Sequence, residues 1–111
     1  MEDDRLPTGL VIQAHLRRCT SEAVPAYVLH KGAPGGTILL KLNQLELGCR
    51  ILTQARDAEG RLGWLAAKGG ALMPEAEADA YIDRAVGRDP DLWVVEIEHR
   101  RGWHPFEGKL V

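Results

Sequence analysis

Apolar residues along the chain fall into two helical and five extended patterns. Across residues 8–22 they recur every three or four positions, at Ile12, Leu16 and Cys19, with Ala23 just beyond. Gln13, Arg17 and Glu22 fall largely on other faces, so the segment reads as one amphipathic helix. Thr8 is placed to cap its first turn through a side-chain oxygen, although Gly9 weakens that start. Pro25 ends it, because proline lacks an amide hydrogen and pushes Val24 out of the helical region. Four strand-like segments follow at residues 26–31, 37–43, 49–56 and 61–68. In the second, Ile38, Leu40 and Leu42 alternate with Leu39 and Lys41; in the third, Ile51, Thr53 and Ala55 alternate with Arg50, Leu52 and Gln54. That is the two-residue period of a strand. Gly32-Ala33-Pro34-Gly35-Gly36, Gly48 and Asp57-Ala58-Glu59-Gly60 supply turn chemistry between them, and Gly69-Gly70 closes the series.

A second helix is predicted from about Pro74 to Asp89-Pro90, with Ala78, Tyr81, Ile82 and Ala85 as its buried stripe. Glu75, Glu77 and Asp79 crowd its first turns while Arg84 and Arg88 lie towards its end, as the helix dipole favours. The last strand, residues 92–98, sets Trp93, Val95 and Ile97 against Leu92, Val94 and Glu96. Its start is apolar on both faces, which points to an interior place in a sheet. The expected fold is therefore α+β: a helix, a four-stranded antiparallel meander, a second helix and a fifth strand, with both helices packed on one face of the sheet. The fifth strand joins either the edge of the meander or the side of the first strand. One domain spans residues 1–111, with residues 1–6 expected to be disordered and residues 100–111 forming a C-terminal tail.

Composition narrows the possibilities further. A chain of this length can bury roughly two thirds of its unfolded surface and needs no disulfide or metal to hold a core. Fourteen basic against sixteen acidic side chains leave a net charge of −2, which argues against general nucleic-acid binding. The acidic start, Met1-Glu2-Asp3-Asp4-Arg5, lacks the basic-then-apolar plan of a signal peptide, and no apolar run approaches the ~20 residues of a membrane span. Cys19 and Cys49 read as small buried apolar groups in a reducing cytoplasm; the competing reading is a disulfide between them.

Three stretches together carry a resemblance: Ala14-His15-Leu16-Arg17-Arg18-Cys19, Leu39-Leu40-Lys41-Leu42-Asn43, and Asp89-Pro90-Asp91-Leu92-Trp93-Val94-Val95-Glu96-Ile97-Glu98. The pattern resembles a family of short, uncharacterised alphaproteobacterial proteins classed as a domain of unknown function, and the last run is its most specific part. The resemblance spans nearly the whole chain, with Arg100 to Val111 extending past it. It implies a stand-alone bacterial cytoplasmic protein and carries no activity, cofactor or partner to transfer.

Candidate chemistry is sparse. His15, Arg17 and Arg18 form a basic group that suits an anion, since guanidinium forks bind phosphate or carboxylate through two parallel bonds; a solvated helix face, or pairing with Glu96 and Glu98, is the plainer account. Glu96 and Glu98 project from one face of a strand, so they are the metal candidates for a Mg²⁺-dependent hydrolase or nuclease, assisted by Arg17 or Arg18. Asp89 and Asp91 flank a proline, where aspartate is favoured for local backbone bonding. His15, His30, His99 and His104 lack metal-ligand spacing. The turn at residues 32–36 lacks the Gly-Lys-Ser/Thr ending of a phosphate loop, and neither Ser21 nor the cysteines sit in a nucleophile context. In the tail, Arg100, Arg101, Trp103, His104 and Phe106 combine the residue types that anchor interfaces. They either fold back over the core or contact another chain.

These readings favour a small non-enzymatic binding or interaction protein, a homodimer formed through the tail or a free strand edge. The alternatives are the metal-dependent hydrolase using Glu96 and Glu98, and a weak nucleic-acid binder acting through local arginines. No cofactor is implied.

Overall fold

The computed structural model describes residues 6–111; the expectation of disorder at residues 1–6 lies, apart from Leu6, outside the described residues. Two helices, α1 (Thr8–Ser21) and α2 (Glu75–Arg88), accompany five strands: β1 (Ala26–His30), β2 (Ile38–Asn43), β3 (Cys49–Arg56), β4 (Leu62–Ala66) and β5 (Trp93–Glu98). Every predicted element is present within a few residues of its expected bounds.

Helix α1 starts at Thr8 itself, with Pro7 in the capping position, so Thr8 does not cap. Its hydroxyl instead donates to the Gly36 carbonyl at 2.7 Å, pinning the helix start to the β1–β2 loop. The helix ends before Pro25 can act. Ala23 adopts a left-handed backbone (φ 58°), and the Ala23 and Val24 amides donate back to Thr20 and Cys19, closing the last carbonyls as a terminal glycine usually does.

The strand order is β1-β5-β2-β3-β4. β2, β3 and β4 form the expected antiparallel series, but β5 inserts between β1 and β2, antiparallel to the first and parallel to the second. The sheet is mixed, and the four-stranded meander is not formed. The loop at residues 32–36 is accordingly not a hairpin turn between paired strands. It crosses the start of β5, and a Cβ on Gly32 or Gly36 would lie 2.0 or 1.9 Å from the Asp91 carbonyl oxygen. These glycines are needed for close approach, not only for turning.

The helices lie on opposite faces of the sheet, not on one. Ile12 and Cys19 of α1 pack with Ile38, Leu40, Leu42, Trp93, Val95 and Ile97. Ala78 and Ile82 of α2 pack with Leu39, Ile51, Met73 and Val94 on the other side. The two central strands alternate their side chains between two cores, so β2 and all of β5 but Glu98 are buried on both faces. A buried Leu or Val contributes about 1.5–3 kcal/mol, and here both faces of the central strands contribute it. Cys19 and Cys49 are free thiols in different cores, with the sheet between them. Burial raises both thiols above their ordinary value. Among the described residues no helix is long and apolar enough to cross a membrane.

Candidate functional site

The most polar feature of the interior is Lys41, which the sequence patterning marked only as an alternate position of β2. The parallel pairing sets Lys41 beside Glu96, and α2 brings Glu75 and Asp79, one helical turn apart, over the same spot. The Lys41 Nζ donates to Glu75 Oε2 at 2.7 Å and Asp79 Oδ1 at 2.8 Å, with Glu96 Oε2 at 3.7 Å. Asn43 Nδ2 donates to Glu96 Oε2 at 2.8 Å. The lysine side chain is 3% exposed. Burial pushes its pKa down, but the hydrogen bonds to Asp79 and Glu75 and the charge of Glu96 together outweigh burial and hold it well above the usual lysine range. A lysine held protonated is neither nucleophile nor base, and the carboxylates around it already face a cation. Glu96 is thus engaged by Lys41 and Asn43. Among the described residues no group of three or more His, Cys, Asp and Glu side chains is arranged to hold a metal ion.

Glu96 and Glu98 do share a face of β5, but it is the face covered by α2. Arg17 and Arg18 belong to α1 on the other side, so the structure does not bring these arginines to the glutamates. Arg18 pairs instead with Glu22 (Nε to Oε2, 3.5 Å) and lies 5.9 Å from the centre of the Trp103 ring. Arg17 is exposed. His15 donates through Nδ1 to the Val11 carbonyl (2.7 Å) and stacks on Phe106, with ring centres 4.3 Å apart. Asp89 accepts the Asp91 amide at 3.1 Å, the local turn bond expected of it.

The tail folds back over the α1 face. Phe106 is buried in that core and Trp103 packs against it. The His104 Nδ1 accepts the Phe106 amide at 3.2 Å, and the His104 ring meets Trp64 edge-on. Burial, and secondarily the nearby His15, lowers the His104 pKa. Trp64 Nε1 donates to the Glu107 carbonyl (2.9 Å). The Trp64 amide donates to the Lys109 carbonyl, and the Val111 amide to the Trp64 carbonyl, so Leu110 forms an isolated parallel bridge with β4. Arg100 pairs with Glu46 at 2.6 Å, and Arg101 is exposed.

One edge of the sheet is thereby bridged at Trp64 by the chain's own last residues. The other, β1, is not: among the described residues it pairs only with β5, and Tyr27, Val28 and Leu29 are 48%, 42% and 47% exposed. Leu29 is the extra residue of a bulge, since Val28 faces Val95 and His30 already faces Val94. The His30 ring is tied through Nδ1 to the Leu92 carbonyl at 2.7 Å. Beside the bulge, a cleft of about 250 Å³ opens between β1 and α2, lined by Leu29, His30, Asp79, Ile82, Asp83 and Val86. An uncovered strand with apolar side chains on both faces is a template for pairing with another chain. The sequence carried the signal, an apolar Tyr-Val-Leu run, but not the fact that this strand ends the sheet.

A family model described as a protein of unknown function, DUF1491, matches residues 6–107. The shared pattern therefore continues past Arg100 into the tail. Among solved structures, the chain is similar to a DUF1491 family protein from Caulobacter crescentus CB15 in a crystal structure: 34% identity, TM-score 0.83, 95% of this chain and 99% of that one covered. An NMR structure of a DUF1491 family protein from the same organism matches at 34% identity and TM-score 0.80, covering 96% and 97%. A solution structure of protein Atu0922 from A. tumefaciens matches at 25% identity and TM-score 0.70, covering 85% and 86%. No curated protein matches the sequence.

Proposed function

Because the chain belongs to the DUF1491 family, whose description assigns no activity, we propose from geometry that it is a non-enzymatic interaction module that self-associates through β1. One observation carries this reading: of the two sheet edges, the β4 backbone is engaged at Trp64 by Lys109 and Val111, while among the described residues the outer backbone of β1 pairs with no strand and Tyr27, Val28 and Leu29 lie on it near half exposure. Antiparallel pairing of β1 with its copy about a twofold axis is self-complementary, as a closed homodimer requires, and would join two five-stranded sheets into one. A strand of five residues alone falls short of the ~800 Å² per partner of a standard interface. Leu29, Ile82 and Val86 along the neighbouring cleft extend the apolar surface beyond the strand. The two free thiols, packed in separate cores, support a reducing cytoplasmic setting.

The test is sedimentation equilibrium at tens of micromolar on the native protein and on Val28→Lys. The native protein is expected to be a dimer and the variant a monomer with an unchanged far-ultraviolet spectrum. A native monomer at that concentration, or a Val28→Lys dimer, refutes the reading.

A further inference from the structure

A second concave surface lies on the α1 side, remote from β1. The start of α1, the β1–β2 loop and the β3–β4 hairpin enclose an open groove of about 690 Å³, within the ~300–1,000 Å³ range of small-molecule sites. Its floor is Ile38, 1% exposed, and its rims carry Leu6 and Leu62 at 66% and 47% exposure, with Val11 between. Arg56 is the single charged residue among the thirteen described residues lining it. One of its guanidinium N–H groups donates to the Gly60 carbonyl at 2.7 Å. An arginine has five such donors in a planar fork, so the remainder can engage a carboxylate through two bonds.

We infer that this groove binds a free amphipathic monocarboxylic acid, its hydrocarbon chain lying along Ile38, Val11, Leu62 and Leu6 and its carboxylate on Arg56. The apolar floor would leave a compact polar anion no partner except at the mouth. A neutral chain would make no use of the exposed guanidinium at the groove's rim. Only a ligand with both parts matches the whole surface. This site and the β1 edge involve different residues, so either can fail without the other.

The experiment is a titration of isotope-labelled protein with hexanoate, octanoate and decanoate, with decanol and acetate as controls, read by amide chemical shifts. The expected result is saturable shifts concentrated at Val11, Thr37, Ile38 and Leu62. Affinity should rise by up to about fifteenfold for each two methylenes added, since one fully buried methylene is worth about fourfold. Arg56→Gln should weaken decanoate about tenfold while leaving decanol unchanged. Leu62→Glu, an exposed substitution that keeps the fold, should abolish decanoate binding. The inference is overturned by shifts that do not saturate, by shifts scattered outside the groove, or by decanol binding as tightly as decanoate.

Discussion

Replacing Lys41 with methionine tests what the buried ion cluster contributes. The substitution keeps most of the side-chain volume and leaves Glu96 in a buried position with Asn43 as its remaining partner. Removing one member of a buried pair costs about 3–5 kcal/mol when the other charge is stranded. Glu75 and Asp79 are half exposed and can turn towards water, so their share is discounted. A destabilisation of about 2–3 kcal/mol at neutral pH follows from these two considerations. Against a total of about 5–15 kcal/mol the variant still folds, with its melting temperature lowered by roughly 10–20 °C. Urea unfolding followed by tryptophan fluorescence measures this directly, with an unchanged slope as evidence that the folded state is intact. Adding Glu96→Gln to Lys41→Met should recover at least half the loss, because it removes the stranded charge. The sign in alkali also follows: a folded pKa above the unfolded one means the lysine's contribution stands below its ordinary value of 10.5 and fades only as pH climbs past it. A Lys41→Met cost below about 1 kcal/mol, or a double variant no better than the single one, would refute the reasoning.

Two further outcomes follow from the loops and the tail. Gly36→Ala drives a Cβ to 1.9 Å from the Asp91 carbonyl oxygen and should cost about 2 kcal/mol or more. Gly35→Ala meets nothing within 4 Å and should be neutral or slightly stabilising; equal effects in thermal melts would contradict the packing of this loop on β5. Burial holds the His104 pKa below its ordinary 6.5, so the unfolded chain binds the extra proton first and stability should fall as pH drops below 6.5. His104→Gln should flatten that part of the profile in equilibrium unfolding.

The elements and their faces were legible because period two and period three to four are local properties. Ile38, Leu40 and Leu42 do share one core, and Trp93, Val95 and Ile97 share it with them. The Asp57–Gly60 hairpin was also legible, since Asp57 accepts the Glu59 and Arg61 amides as its residue type suggests. Strand order was not, because a glycine-rich loop serves a hairpin and a crossover equally well. The placement of the helices could have been read: β2 is apolar at Leu39 as well as at Ile38 and Leu40, and a strand apolar on both sides needs cover on both. The interior position of β5 was inferred on that very ground. The candidate chemistry divided in the same way. Glu96 and Glu98 sharing a face was local knowledge, whereas their separation from Arg17 and Arg18 by the thickness of the sheet was not. Lys41 escaped notice because nothing in the neighbouring Leu-Leu-Lys-Leu-Asn run announces carboxylates arriving from residues 75, 79 and 96.

The insertion of β5 also bears on how the molecule is made. As the chain leaves the ribosome, β2, β3 and β4 can pair with one another at once, but the first strand has no neighbour until Trp93–Glu98 emerges. Until then one flank of β2 and the whole of β1 wait without hydrogen-bond partners. The arrival of this late segment joins the two halves of the sheet in a single step, and contacts of such long sequence separation fold slowly.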